Sequence, residues 1–308
     1  MQKTQHKISA AQLFCILLLS RVTAEIVYPE KAGFGGTGLA AALTAEAIRF
    51  VLALPVLIYS FKGRAFYAAL WRKNRFLGWV SAIGAAAFLA GFTARTLIGS
   101  SEFVQRSMLN RTPELLIMAI SAAAAAYAVI KGVEAISRAG VLFLAAAAVV
   151  SLLVILADIP YFDVSRKLPG WDTELFIASL IDRLTRSGEY LVFAALLPYV
   201  RTQGDNKAKT RSGAAGMWFA LAGAAATGLL CVFLSAVLGE YHSMAEFPAV
   251  AAASLADIVL FKRLDGLVCG IWALCAVLRT GLLAFSAFSV IGECVKCAKE
   301  ARYGKEAC

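Results

Sequence analysis

The sequence predicts an all-α, polytopic membrane protein, a bundle of about eight transmembrane helices forming one domain over residues 1–308. Hydrophobic residues make up 60% of the chain and charged residues only 16%, whereas an average soluble domain has roughly 45–50% and about 25%. The hydrophobic residues also fall into runs of about 20, the length that crosses a hydrocarbon core about 30 Å thick. So much apolar surface does not fit one aqueous core, and this argues against a soluble enzyme.

Eight runs along the chain qualify as spans. They cover approximately residues 10–28, 39–61, 76–98, 114–131, 139–157, 176–200, 213–238 and 266–292. The first run carries Arg21 and Glu25 and lacks a small-residue cleavage site, so we expect it to persist as a helix rather than act as a cleaved signal peptide. The sixth run is the most polar, because charged residues cluster in its first half.

The distribution of Lys and Arg between the connections predicts the orientation. Seventeen of these residues fall on the side of the N-terminus and seven on the opposite side. Because positive charge is retained on the cytoplasmic side, we expect both termini in the cytoplasm. The same clustering between spans accounts for the net charge of +10 without a nucleic-acid partner. On the outer side we expect an interfacial loop at Asp158–Asp172 and a helix lying on the surface within Glu240–Arg263.

No motif of a soluble enzyme is present. There is no Gly-rich phosphate loop, and the only two histidines, His6 and His242, fall in connections that we expect to be aqueous. Cys294 and Cys297 form a CxxC without a second Cys pair or a His cluster, which disfavours a metal or redox site. We therefore expect no catalytic residues, no cofactor and no metal.

Charged residues inside the spans are the informative ones. An ionised side chain at the bilayer centre costs about 2.5–3.5 kcal/mol on insertion scales, so it usually faces the bundle interior or a wet cavity. Arg21 and Glu25 are spaced i, i+4, and Glu46 and Arg49 are spaced i, i+3, so each pair can meet on one helix face. Together with Arg95 and Arg279, these residues have two possible roles. They are structural ion pairs that neutralise each other, or they line a polar path between spans 1, 3, 6 and 8. The sequence leaves both interpretations open. Further charges lie in the sixth span, at Arg183, Arg186 and Glu189.

Polar residues interrupt the first and sixth spans. Broken helices that expose backbone at the midplane form the substrate sites of many secondary transporters, and breaks in helices 1 and 6 fit a five-plus-five inverted repeat. We therefore predict irregular backbone at Val22–Glu25 and Ser187–Glu189, with the two helices facing each other. The candidate ligand-binding residues are Thr23, Ala24, Glu25, Ser187, Gly188 and Glu189. Close helix packing is the alternative role for Gly188.

The order of several short motifs resembles the spore germination permease family, the membrane B subunits of nutrient germinant receptors in the amino acid/polyamine/organocation superfamily. These motifs are Lys7–Phe14, Gly132–Arg138, Ser187–Glu189, Leu196–Tyr199, Phe247–Pro248, and Phe261–Asp265 followed by Trp272. The resemblance implies an inverted-repeat permease fold of ten helices, of which we expect about eight in this chain. The family usually carries Gly in the middle of helix 1, where this chain has Thr23 and Ala24.

The resemblance also implies a function. We expect a permease-like subunit of a germinant receptor in the inner spore membrane that senses or passes a small nutrient such as an amino acid. Its partners would be the lipid bilayer and other receptor subunits. The alternatives are an ion-coupled amino acid transporter outside germination and a membrane scaffold that has lost transport.

Overall fold

The computed structural model describes residues 7–28, 35–61, 66–163, 171–201, 206–256 and 264–302. Within these ranges the chain is all α-helical and has no named strand, which confirms the predicted fold class. The α-helices are α1 (Ala10–Val27), α2 (Gly35–Phe61), α3 (Phe66–Lys73), α4 (Arg75–Ser107), α5 (Glu114–Lys131), α6 (Val133–Asp158), α7 (Thr173–Thr185), α8 (Glu189–Leu196), α9 (Asn206–Leu238), α10 (Pro248–Leu255) and α11 (Asp265–Arg302). Short 3-10 helices cover 159–161, 197–199 and 239–243.

Seven of the described helices are long and apolar enough to cross a membrane: α1, α2, α4, α5, α6, α9 and α11. Several extend beyond the predicted spans, because polar residues at their ends continue the helix. The predicted span 76–98 lies within α4, and 213–238 and 266–292 lie within α9 and α11. The connection before α4 also contains α3, which the sequence did not predict. Asn74 separates the two helices, since its side chain accepts hydrogen bonds from the backbone N–H groups of Phe76 and Leu77.

The last helix, α11, lies at the centre of the bundle. In its most apolar stretch 61% of the residues are buried, compared with 11% in α5. Helices α4, α5, α6 and α1 pack around α11, while α2 packs on α9 and α7. Polar side chains carried by α1, α2, α7 and α11 are therefore directed into the same interior.

The predicted sixth span, 176–200, is not one helix. It is divided into α7 and α8, followed by the 3-10 helix at 197–199, and the break falls between Arg186 and Gly188. Gly188 is the N-cap of α8, and a Cβ there would lie 2.6 Å from Cδ2 of Phe92. The break thus confirms the irregularity predicted at Ser187–Glu189, and the close contact accounts for a glycine at this position.

The matching prediction for the first helix is wrong. Helix α1 is continuous through Val22–Glu25. It begins with a capping box, in which Ser9 and Gln12 each accept a backbone N–H of the other. The hydroxyl of Thr23 donates to the carbonyl of Leu19, 2.6 Å away and one turn earlier. The polar side chains of α1 find partners without an interruption of the backbone.

Contacts between connections define the two ends of the bundle. At one end the N–H of Ile8 donates to the carbonyl of Tyr199 (2.9 Å), and the N–H of Arg201 donates to the carbonyl of Ile8 (3.0 Å). At the other end Arg106 forms an ion pair with Glu246. Each pair joins segments that the Lys and Arg distribution places on the same side, and the cytoplasmic orientation itself stays a prediction.

Both predicted outer segments are partly described. In Asp158–Asp172 the described portion contains the 3-10 helix at 159–161, and residues 164–170 lie outside the described residues. In Glu240–Arg263 a 3-10 helix is followed by α10, and residues 257–263 lie outside the described residues. The helix predicted for this segment is therefore present as α10.

Candidate functional site: a buried ion network beside a pocket

Charged side chains from α1 and α2 form the first part of a buried ion network. Nε of Arg21 donates to Oε1 of Glu46 over 2.8 Å. Nη2 of the same guanidinium lies 2.8 Å from Oε1 of Glu25. Arg49 pairs with Glu46 at 2.6 Å. Both pairs expected within single helices are therefore formed, and Arg21 also links the two helices.

The second part of the network connects α1 to the broken helix and to α11. Arg183 of α7 pairs with Glu25 at 2.7 Å. Glu189, the first residue of α8, accepts hydrogen bonds from Ser20 (3.0 Å) and Arg279 (3.1 Å) and also from Ser187. Although α1 is unbroken, its polar face and the break between α7 and α8 face each other as predicted.

Arginine side chains also bind the backbone at the break. The last carbonyls of an α-helix have no partner within the helix. At the end of α7, Arg49 donates to the carbonyl of Arg183, and Nη2 of Arg279 donates to the carbonyl of Arg186 over 2.7 Å. The break is thus stabilised by guanidinium groups from two other helices, α2 and α11.

The network is almost completely shielded from solvent. The side chains of Arg21, Arg49, Arg183, Arg186, Arg279, Glu25, Glu46 and Glu189 are each at most 8% exposed. Breaking one pair in such a setting leaves an uncompensated buried charge, which costs about 3–5 kcal/mol. Asp182, at 27% exposure, adds a fourth carboxylate at the edge by pairing with Arg186. Among the described residues of this network, arginines therefore outnumber carboxylates.

A pocket of about 380 Å³ adjoins this edge of the network. It is lined by Tyr28, Arg95, Ile98, Gly99, Glu102, Asp182 and Arg186. Arg95 binds Asp182 at 3.1 Å and donates to the hydroxyl of Thr185 at 2.7 Å. The pocket therefore contains both signs of charge next to an apolar wall.

Tyr28 forms part of that wall. Its hydroxyl is 3.0 Å from the hydroxyl of Thr96. The guanidinium carbons of Arg95, Arg186 and Arg279 lie 5.4, 5.8 and 5.7 Å from the centre of its ring, within the range of cation–π attraction. Gly99 leaves room for this ring, because a Cβ there would lie 2.6 Å from Cε1 of Tyr28.

None of the six candidate ligand-binding residues lines the pocket. Thr23 and Ala24 are fully buried in α1, and Gly188 contacts Phe92. Glu25, Ser187 and Glu189 are members of the network, as are four of the five charges predicted as structural or path-forming: Arg21, Glu46, Arg49 and Arg279. The fifth, Arg95, lines the pocket.

Sequence reasoning missed Tyr28, Ile98, Gly99 and Glu102 as pocket residues. A signal for two of them was present: Gly99 and Glu102 follow Arg95 by four and seven residues, a spacing that puts all three on one face of α4. Tyr28 lies three residues beyond Glu25. It has no such signal, because it comes after the last residue of α1.

The histidine expected in an aqueous segment is buried. His242 lies in the 3-10 helix at 239–243 and is only 5% exposed. Burial, together with the positive charge of Arg183, lowers the pKa of His242 to about 4. Across the described ranges no three His, Cys, Asp or Glu side chains are grouped so that they could hold a metal ion. Cys294 and Cys297 are both buried on α11, and Sγ of Cys294 lies 3.8 Å from the carbonyl of Gly78.

Comparison with known proteins places this architecture in a family. The family model described as spore germination protein matches residues 47–301. The match covers the bulk of the chain, including the break between α7 and α8 and all of the pocket except Tyr28. No curated protein matches the chain. The family is transporter-like, and its members are permease-like membrane proteins. The chain, a multi-pass membrane protein with seven long apolar helices in its described part, therefore belongs to the spore germination protein family.

Proposed function

We propose that the protein is the permease-like subunit of a nutrient germinant receptor and that it binds a small nutrient such as an amino acid in the pocket beside Tyr28. One observation carries this proposal: the pocket that contains both signs of charge shares Arg186 with the network at the helix break. A ligand bound there would contact the least regular part of the bundle directly.

The lining of the pocket suits a zwitterion. Arg95 and Arg186 present guanidinium groups, which bind carboxylates through paired, charge-assisted hydrogen bonds. Glu102 and Asp182 supply acceptors for an ammonium group, and Ile98 adds apolar surface. The volume of about 380 Å³ lies in the range of small-molecule sites, about 300–1,000 Å³.

Arg186 gives ligand binding a route to the helix break. Its side chain pairs with Asp182, its backbone is the C-cap of α7, and its carbonyl accepts a hydrogen bond from Arg279. A ligand carboxylate that replaces Asp182 as the partner of Arg186 would alter the charge balance at the break. We infer that α7 then shifts relative to α8 and that this shift is the signal passed to other receptor subunits.

The six candidate residues extend the proposed site into the network. Glu25, Ser187 and Glu189 would be the next ligand contacts along a path through the network. Thr23, Ala24 and Gly188 would form the backbone wall beside them. On this proposal the protein is a nutrient sensor in the inner spore membrane with both termini in the cytoplasm.

A binding experiment tests the proposal. The chain is purified in lipid nanodiscs, and the binding of labelled amino acids is measured for the wild type, for Arg95→Gln and for Arg106→Gln. Arg106 is a matched control, because it lies on the same helix, is half-exposed and pairs with Glu246 outside the pocket. We expect Arg95→Gln to weaken binding at least ten-fold and Arg106→Gln to leave it unchanged. Equal affinities of the two variants would overturn the location of the site.

Spore assays separate the alternatives. Deletion of the gene is expected to abolish germination by the amino acid that binds, and the wild-type gene is expected to restore it. Ion-driven uptake into liposomes with normal germination of the deletion strain would indicate a transporter outside germination. Absence of binding for every amino acid tested would indicate a scaffold.

A further inference from the structure

A second cavity lies at the opposite end of α1 from Tyr28. It is a groove of about 400 Å³ between α1 and α9, lined by Ala10, Ala11, Phe14, Arg211, Ala214, Ala215 and Trp218. It shares no lining residue with the nutrient pocket. Six of the seven lining residues are apolar, and Arg211 is the charged one.

Small residues create the groove and large ones border it. Four alanines, two from each helix, leave the space unfilled between Phe14 and Trp218. Trp218 is 65% exposed and Arg211 is also exposed. The apolar surface of the groove is therefore open toward the lipid rather than covered by another part of the described chain.

Relative to the spans predicted from the sequence, the groove runs from the headgroup level into the hydrocarbon. The spans predicted from the sequence begin at residue 10 in α1 and at residue 213 in α9, so Ala10 and Arg211 lie close to the expected boundary. Trp218 lies seven residues farther along α9, about 10 Å deeper at 1.5 Å per residue. The N-terminus of α1, with its partial positive charge, opens at the same level as Arg211. One end of the groove is thus positive and the rest is apolar.

We propose that this groove binds one anionic glycerophospholipid, with the phosphate against Arg211 and an acyl chain along Ala215 and Trp218. Charge complementarity selects this occupant: the groove carries one cation and no carboxylate among its lining residues. The predicted orientation places this end at the cytoplasmic leaflet, whose anionic lipids attract basic residues. The proposal does not depend on the nutrient site.

Native mass spectrometry tests it. The detergent-purified protein is incubated with equal amounts of phosphatidylglycerol and phosphatidylcholine of the same acyl chains, and the ratio of the two retained lipids is measured. We expect the wild type to retain phosphatidylglycerol about five-fold better, the effect of one guanidinium contact worth about 1 kcal/mol. Arg211→Ala should abolish this preference. Lys131→Ala is the matched control, because Lys131 is exposed at the same predicted side, at the end of α5, and it should keep the preference.

A second variant separates the groove from the charge. Ala11 lines the groove and is exposed, so Ala11→Phe should fill the space and lower the retention of both lipids while the fold is kept. Equal retention of the two lipids by the wild type, or an unchanged preference in Arg211→Ala, would overturn the proposal. Displacement of the lipid by inorganic phosphate alone would show that Arg211 binds a free anion instead.

Discussion

Replacement of Glu189 by Gln tests the ion network most directly. The side chain of Glu189 is completely buried and accepts hydrogen bonds from Ser20, Ser187 and Arg279. The variant keeps the shape of the side chain but leaves the guanidinium of Arg279, itself 1% exposed, without its carboxylate. An uncompensated buried charge of this kind costs about 3–5 kcal/mol, and we expect the free energy of unfolding to fall by that amount.

The assay is unfolding of the purified protein in mixed detergent micelles, followed by circular dichroism. Glu246→Gln is the matched control, because it removes a carboxylate from an exposed pair, which is worth about 0–1 kcal/mol. The double variant Glu189→Gln/Arg279→Met removes both charges and should recover part of the lost stability. If Glu189→Gln is no more destabilising than Glu246→Gln, the structural interpretation of the network fails. If the Glu189→Gln variant is in addition well folded but does not respond to ligand, Glu189 binds the ligand instead.

Three further predictions concern a close contact, a buried histidine and the orientation in the membrane. Gly188→Ala places a methyl group against Phe92 and should cost about 1–3 kcal/mol, and Phe92→Leu should restore part of the loss in a thermal unfolding assay. His242 is held neutral by a pKa of about 4, below its ordinary value of about 6.5. The free energy of unfolding that depends on neutral His242 is fully present above pH 6.5 and is lost as the pH falls toward 4, by about 3 kcal/mol in total. His242→Gln should flatten that part of the stability–pH curve. After removal of the native cysteines, a cysteine at position 131 should react only from the cytoplasmic side and one at position 106 only from outside; the reverse pattern would invert the orientation.

The break in the sixth span was predictable and the continuity of the first helix was not, and a physical difference explains this. At Gly188 the residue type itself permits the close approach of Phe92, because glycine has no Cβ. In α1 the polar residues give no such local indication, because their partners come from elsewhere: Ser20 binds Glu189, and Arg21 binds Glu46. Whether a polar interruption breaks a helix depends on these distant partners.

The same limit applies to the candidate site. Pairs within one helix, such as Arg21 with Glu25, follow from their spacing alone. The pocket combines the end of α1, the middle of α4 and the end of α7. Arg95 donates a hydrogen bond to Asp182, which lies 87 residues later in the sequence. The periodicity of a single sequence does not indicate such a contact.

The partners in the network enter the membrane at different times during synthesis, because they lie on helices far apart in the chain. Arg21, Glu25 and Glu46 can pair as soon as α1 and α2 have entered the membrane. Glu189 enters much later, and its arginine partner arrives only with α11, the last helix described. Until then a buried carboxylate and the open carbonyl of Arg186 lack the guanidinium that satisfies both. A chain without α11 would therefore leave this carboxylate and this carbonyl without their guanidinium partner inside the bilayer.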